Sequence, residues 1–292
     1  MKLAFRFGLL ALLMAVVACS PRQLILQEAA SALATQGGAA EDDLVLAREA
    51  SAFYLKLSES VLRETPGNLP LAAAVASGFT QYAYAFVQFE ADRLDTKDAQ
   101  AAQKLRQRAA RLYQRAQRHA MTALAHQTPG FAKALAGPAA ANGLRIMPEQ
   151  VELAYWAAAA WGAQIALSKD QPHVVADLPL AMRLAQLAYE AAPKHGQGAL
   201  ASLMGSFEAA RPGGSAQLAA SYFDEAMVLG RDKSAAVFVV KAEALALPAG
   251  DRTAFEALLQ QALAASAAAP DLSNNVMRER ALWLLETADD LF

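Results

Sequence analysis

Alanine-rich stretches separated by short proline and glycine breaks constrain this chain more than any other feature. Hydrophobic residues make up 55% of its 292 residues, and alanine dominates that fraction. Alanine has the highest intrinsic helix propensity, so these stretches favour helices. The run Val151–Leu167 is typical: it contains no proline and one glycine, and Pro148 lies where a first helical turn tolerates proline. The pattern therefore predicts an all-α protein.

The breaks divide the chain into ten predicted helices with tight connections. They span 43–64, 69–92, 97–125, 149–167, 177–191, 197–210, 215–229, 234–246, 251–268 and 274–289. The best strand candidate is Val237–Val240, but its alanine-rich flanks favour a helix. The segment from His126 to Met147 contains several glycines and prolines, so it is predicted to be a long loop between two halves, lying across an opening.

A degenerate repeat is visible in the second half of the chain. The spacing typical of the second helix of a tetratricopeptide unit occurs three times, at intervals of 36 to 38 residues rather than the standard 34. The three sets are Ala181, Ala185 and Ala188, then Ala219, Phe223 and Ala226, then Phe255, Leu259 and Ala262. Small residues let paired helices pack closely, so we expect a tetratricopeptide-like superhelix of helical hairpins with a concave inner surface. An irregular helical bundle is the alternative.

The first residues have the character of a targeting segment. Lys2 and Arg6 precede the apolar stretch Phe7–Val17, and Val16-Val17-Ala18-Cys19 follows the pattern of the lipobox of bacterial lipoproteins. This resemblance implies a signal peptide at 1–18, lipidation of Cys19 and a tether at 19–43, part of it helical, before an α-helical domain at 44–292. The serine after the cysteine favours the outer membrane over the inner one. An ordinary signal peptide with an incidental cysteine is the alternative.

Aromatic side chains indicate a candidate ligand surface. Trp156 and Trp161 are five residues apart, so on a helix they point about 140° away from each other. Tyr82 and Phe86 are one helical turn apart and share a face. All four are candidates to line a cavity or channel, and we expect at least one of the two tryptophans to face an internal void. Ordinary core packing is the alternative.

A basic stripe indicates a candidate docking surface. Lys104, Arg108, Arg111, Arg115 and Arg118 recur at spacings of three and four and share one helix face. Arg108, Arg111 and Arg115 are the candidates for contact with an acidic partner. A solvated helix face is the alternative.

Several functions have no support in the sequence. The formal net charge is −2 and basic residues form no block, so nucleic-acid binding is not expected. The string Gly196-Gln197-Gly198-Ala199-Leu200-Ala201 matches a dinucleotide fingerprint, but no strand is predicted before it, so we interpret it as a turn. The four histidines do not have metal-ligand spacing, and no catalytic motif occurs. We therefore expect no enzyme activity, cofactor or metal.

Five segments in one order resemble the T component of tripartite ATP-independent periplasmic (TRAP) transporters. They are Ser77–Leu94, Ala109–Leu124, Tyr155–Pro179, Phe207–Gly214 and Arg278–Phe292. The resemblance implies a helical periplasmic lipoprotein that forms a homo-oligomer, with a trimer as the candidate, and contains an internal channel for small apolar ligands. Its implied partner is the solute-binding P component. The alternatives are a tetratricopeptide scaffold for outer-membrane protein assembly and, from a different class, a superhelical cell-wall lytic enzyme.

Overall fold

The computed structural model describes residues 21–35, 41, 43–138 and 143–292, with side chains from residue 25 onward. Regular structure in these ranges is entirely helical. The first half contains α1 (Pro21–Thr35), α2 (Leu44–Glu64), α3 (Leu69–Ala83), α4 (Phe89–Leu94), α5 (Ala99–Gln127), α6 (Phe131–Ala136) and α7 (Val151–Ala166). The second half contains α8 (Pro172–Val175), α9 (Leu178–Ala191), α10 (Ala199–Ala210), α11 (Ala216–Gly230), α12 (Ala235–Lys241), α13 (Arg252–Ala268), α14 (Leu272–Glu286) and α15 (Ala288–Leu291).

Short polar side chains set where the helices begin. Each accepts a hydrogen bond from a backbone N–H group of the first helical turn, a group that has no partner within the helix. The capping residues are Asp43, Asn68, Asp98, Ser215, Asp251 and Asp271. These caps follow the predicted breaks, so the predicted boundaries of the main helices agree with the structure. None of the helices in the described ranges is both long and apolar enough to cross a membrane.

The helices pack as consecutive antiparallel pairs. Helix α3 packs on α5, α7 on α9, α10 on α11, and α12 on α13, with α14 added at the end. Neighbouring pairs contact through α5 with α7, α9 with α10, and α11 with α12. The predicted tetratricopeptide-like superhelix is confirmed.

The residues that suggested the repeat form the contacts between paired helices. All nine side chains, from Ala181 to Ala262, are fully buried. They lie on α9, α11 and α13, the second helices of three successive pairs. Alanine at these positions lets two backbones approach, and the buried aromatic and leucine side chains fill the space where they separate.

Two inner helices contain π-helical turns, which sequence patterns do not reveal. Tyr84–Gln88 separates α3 from α4, and Ala242–Ala246 continues α12. The continuous helices predicted at 69–92 and 234–246 are therefore interrupted. Such turns are rare and often lie at functional sites.

The two ends of the superhelix meet. Helix α2 contacts α14, and the Asn275 side-chain amide donates a hydrogen bond to the carbonyl oxygen of Glu41 at 3.2 Å. Helix α1 packs on α3, where Ala30 is fully buried. This helix is longer than the stretch Leu24–Leu33 for which the sequence favours a helix within the tether, and Leu33 and Ala34 near its end pack on the core of the domain.

The segment predicted as a long loop at 126–147 contains helix α6. Phe131 and Leu135 of α6 are buried, and Arg183 donates hydrogen bonds to the carbonyl oxygens of Leu135 (2.6 Å) and Gly137. The loop prediction was wrong here because two apolar side chains four residues apart anchor a helical turn in the core. Residues 139–142 lie outside the described ranges.

Candidate functional site

A partly open cavity of about 860 Å³ lies on the concave surface. The first helix of each pair (α3, α7, α10 and α12) contributes to its wall, together with α14. Residues of α1 and α2 close over it from the N-terminal end. This volume is within the range of small-molecule sites. The cavity exists because the repeat curves and its two ends meet.

Aromatic side chains from several helices line the cavity. They are Tyr54, Tyr82, Tyr84, Phe86, Tyr113, Tyr155 and Trp156. The rings of Tyr155 and Trp156 have centroids 4.8 Å apart at 66°, and those of Tyr82 and Phe86 are 5.5 Å apart at 61°. Both are edge-to-face arrangements, which are favourable for aromatic pairs. The cavity wall therefore combines apolar ring faces with the polar hydroxyl groups of the tyrosines.

The two tryptophans of α7 point to different places. Trp156 is partly exposed and lines the cavity, whereas Trp161 is 8% exposed, belongs to the hydrophobic core and does not line it. The angle of about 140° between them on a helix explains the difference. Tyr82, Phe86 and Trp156 are therefore placed where the sequence suggested and Trp161 is not; ligand binding by the first three stays a prediction.

Three of the lining phenols have a raised pKa and are therefore neutral at physiological pH. Burial raises the pKa of Tyr155 to about 12, and burial also raises the pKa of Tyr84 and Tyr113. Tyr113 donates its proton to the side-chain oxygen of Gln88 at 2.6 Å. These groups can exchange hydrogen bonds with a ligand but supply no charge.

An ionic cluster holds α2 over the cavity. Glu59 of α2 has a side chain only 5% exposed, and it accepts two hydrogen bonds from Arg115 of α5, both at 2.5 Å. Lys56 and His119 complete the cluster at 2.5 and 2.9 Å. Burial alone raises the pKa of Glu59, but these hydrogen bonds outweigh it and lower that pKa to about 2. The carboxylate is therefore charged and ties the covering helix to the wall.

This cluster changes the interpretation of the basic stripe. Arg115 was a candidate for partner docking, but its guanidinium is already bound to Glu59 within the chain. Arg108 and Arg111 are exposed, and no carboxylate of the described residues lies within 4.0 Å of them. Docking through these two residues stays a prediction.

A second ionic cluster lies beside Tyr84, a lining residue of the cavity. The Arg280 side chain of α14 is 7% exposed and donates to Glu243 in the second π-helical turn (2.6 and 3.1 Å) and to Asp92 of α4 at 3.0 Å. Its guanidinium also lies 5.4 Å from the ring of Tyr84, which lines the cavity. Arg280 thus joins α14 to both π-helical turns.

Part of the glycine string also lines the cavity, through Gly196, Gln197 and Ala199. The glycine string forms a tight turn in which Gly198 (φ +99°) lies against the backbone of α11, so its interpretation as a turn is confirmed. The lipidation candidate, Cys19, lies outside the described residues. Within the described ranges, no three residues among His, Cys, Asp and Glu are grouped so that they could hold a metal ion.

Sequence reasoning missed Glu59, Tyr155 and Arg280. Glu59 and Arg115 are 56 positions apart, and Arg280 is 188 positions from Asp92. No local pattern brings such pairs together. Tyr155 lies next to Trp156 in the sequence, but adjacent residues on a helix point about 100° apart, so the helical-face argument did not select it.

Helical pairs stacked around a concave, partly open cavity define a helical-repeat protein of the tetratricopeptide type. The chain belongs to the TRAP transporter T-component family, whose family model matches residues 40–292. An uncharacterized protein of Treponema pallidum (strain Nichols) is 26% identical over 262 residues, which cover 86% of this chain and 81% of the relative. Among solved structures, a thermophilic TPR protein of Thermus thermophilus aligns with a TM-score of 0.48 and 16% identity, over 83% of this chain and 96% of that chain.

Proposed function

We propose that this chain is a lipid-anchored T component that binds the solute-binding P component of a TRAP system and holds small ligands in its cavity. The observation that carries this proposal is an aromatic-lined cavity of about 860 Å³ on the concave face of a member of the T-component family. Concave helical-repeat surfaces commonly bind partners and ligands. The role is binding rather than catalysis.

The association is tested by pull-down of the P component with the full chain. We expect specific capture that weakens as salt rises, since the exposed guanidinium groups of Arg108 and Arg111 would meet an acidic surface. The double substitution Arg108→Glu and Arg111→Glu should reduce capture at least tenfold. The matched control is Arg145→Glu with Lys169→Glu, two exposed cations elsewhere. The absence of capture at high protein concentration would count against the proposal.

The anchor is the second part of the proposal. Acylation of Cys19 would place the protein at the periplasmic face of a membrane, the outer membrane being favoured by the serine that follows. Cys19→Ser should move the protein from the detergent phase to the aqueous phase in a phase-partition assay. Unchanged partitioning would refute lipid anchoring.

Self-association is the third part, and one face of α2 supports it. Leu46, Ala50, Phe53 and Leu57 form a single stripe, all four residues are exposed, and Phe53 is 68% exposed. Contiguous exposed apolar surface of this kind commonly marks an interface. A second copy of the chain, in a closed ring such as a trimer, would bury it.

Sedimentation equilibrium on the full chain in detergent measures this association. Phe53→Asp should shift the distribution to the monomer. Val228→Asp, at an apolar residue 77% exposed on α11, should leave it unchanged. A wild-type protein that is monomeric at all concentrations would contradict the proposal.

A further inference from the structure

The charge of the cavity wall limits which ligands it can hold. Among the described lining residues there is no lysine, arginine or histidine, and the only ionisable side chains besides tyrosine are the carboxylates of Glu41 and Glu152. An organic anion that enters a cavity of limited water content needs a cation or several donors to replace its hydration. The described wall offers neutral donors, such as the Tyr155 phenol and the Gln81 amide, but no cation to balance the charge of an anion.

The nearest arginines do not supply the missing charge. Arg115 is paired with Glu59, and Arg280 is shared between the two carboxylates of Glu243 and Asp92. Their guanidinium groups are therefore compensated within the protein. The field inside the cavity is set by Glu41, Glu152 and the aromatic rings, whose faces carry negative potential.

Three hydroxyl groups on the wall also favour a ligand that donates hydrogen bonds. Ser77 and Ser206 line the cavity and donate their protons to carbonyl oxygens of their own helices, at 3.0 and 2.9 Å. Thr80 does the same at 2.7 Å. A hydroxyl that has used its single proton can only accept further hydrogen bonds. These three groups therefore favour a ligand that donates.

Glu152 lies on the same side of α7 as the cavity tryptophan. Glu152, Trp156, Ala159 and Ala163 follow spacings of three and four, and all four line the cavity. Tyr155 packs against the Trp156 ring from the adjacent position. A carboxylate beside exposed aromatic rings is the arrangement that binds organic ammonium groups, through ion pairing and cation–π attraction.

We propose that the cavity selects organic cations that carry an apolar group, such as primary or quaternary amines, and rejects organic anions. This inference rests on the proposed function, since it names the ligand class of the same cavity. The ammonium group would lie near Glu152 and the apolar group against Trp156 and the rings of Tyr82 and Phe86. Burial of the ligand's apolar group provides binding affinity, and the negative charge of the wall favours cations over anions.

Three probes of matched size and different charge test the proposal: 4-phenylbutylamine, 4-phenylbutanol and 4-phenylbutyrate. Each is titrated calorimetrically into the full chain held in phosphatidylcholine nanodiscs, with empty nanodiscs as the blank. We expect the amine to bind about tenfold more tightly than the alcohol, and the acid more weakly than the alcohol, because close charges of opposite and like sign act in opposite directions. The difference between amine and acid should shrink as salt rises.

Glu152→Gln should bring the amine's affinity close to that of the alcohol while leaving the alcohol unchanged. The matched control is Glu149→Gln, an exposed acid one turn earlier that does not line the cavity. An amine that binds no tighter than the alcohol, or an acid that binds best, would overturn the inference while leaving a ligand-binding cavity in place. If none of the three binds, both this inference and the ligand role fall, and the pull-down of the P component still reports on the rest of the proposed function.

Discussion

Replacement of Glu59 by glutamine tests how the covering helix α2 is held. The folded protein lowers the pKa of Glu59 from its usual 4.5 to about 2. At about 1.4 kcal/mol per pKa unit, this corresponds to about 3 kcal/mol of stability at neutral pH. Arg115 and Lys56 are 36% and 58% exposed, so solvent weakens the interaction and about 2–3 kcal/mol is a better expectation.

The sign of the pH dependence follows from the lowered pKa. A carboxylate that is more acidic in the folded state stabilises it above about pH 4.5, and this stabilisation is lost as the pH falls towards 2. The difference in free energy of unfolding between wild type and Glu59→Gln should therefore be largest at pH 7. At pH 3 it should be less than half of that value.

Urea unfolding followed by circular dichroism from pH 7 to pH 3 measures this difference. Hydrogen exchange should also accelerate in α2, because the substitution releases its tie to α5. Glu49→Gln, at an exposed position of the same helix, is the control and should change neither quantity. A difference between wild type and variant that stays constant from pH 7 to pH 3 would refute the reasoning.

Three further substitutions test other parts of the fold. Arg280→Met should cost about 3–5 kcal/mol, because it leaves two carboxylates without their buried partner. Asn274→Ala should cost about 2–4 kcal/mol, because its side chain accepts from the Ala235 N–H and donates to the carbonyls of Lys233 and Ala269. Gly198→Ala should cost at least about 2 kcal/mol, because a Cβ there would lie 2.5 Å from the carbonyl oxygen of Ala226 at a φ of +99°.

Thermal unfolding measures all three. For Arg280→Met, adding Glu243→Gln should recover part of the loss; an unchanged melting temperature in the single variant would contradict the role given to the cluster. For Gly198→Ala, the control is Gly130→Ala, which has a similar φ of +81° but open space around the added Cβ. Equal losses at the two glycines would show that backbone strain alone, and not close approach to α11, explains the effect.

Helix positions and the repeat could be read from the sequence because both depend on neighbours along the chain. Capping residues such as Asp98 and Asp251 act on N–H groups three positions away, and the spacing of Ala181, Ala185 and Ala188 describes one face of one helix. The same local logic selected Tyr82, Phe86 and Trp156 as candidates to line a cavity, and all three do so. It could not tell which of two tryptophans would face a cavity.

The sequence by itself determined an all-α protein of paired helices and the family to which it belongs. Only the tertiary structure decided three further features. The ends of the superhelix meet through α2 and α14, the cavity lies on the concave face, and Arg115 and Arg280 bind carboxylates of neighbouring helices instead of a partner. The physical reason is distance along the chain. Helix formation and pairing depend on residues a few positions apart. The cavity and the ionic clusters beside it depend on residues tens to hundreds of positions apart, which only the curvature of the complete stack brings into contact.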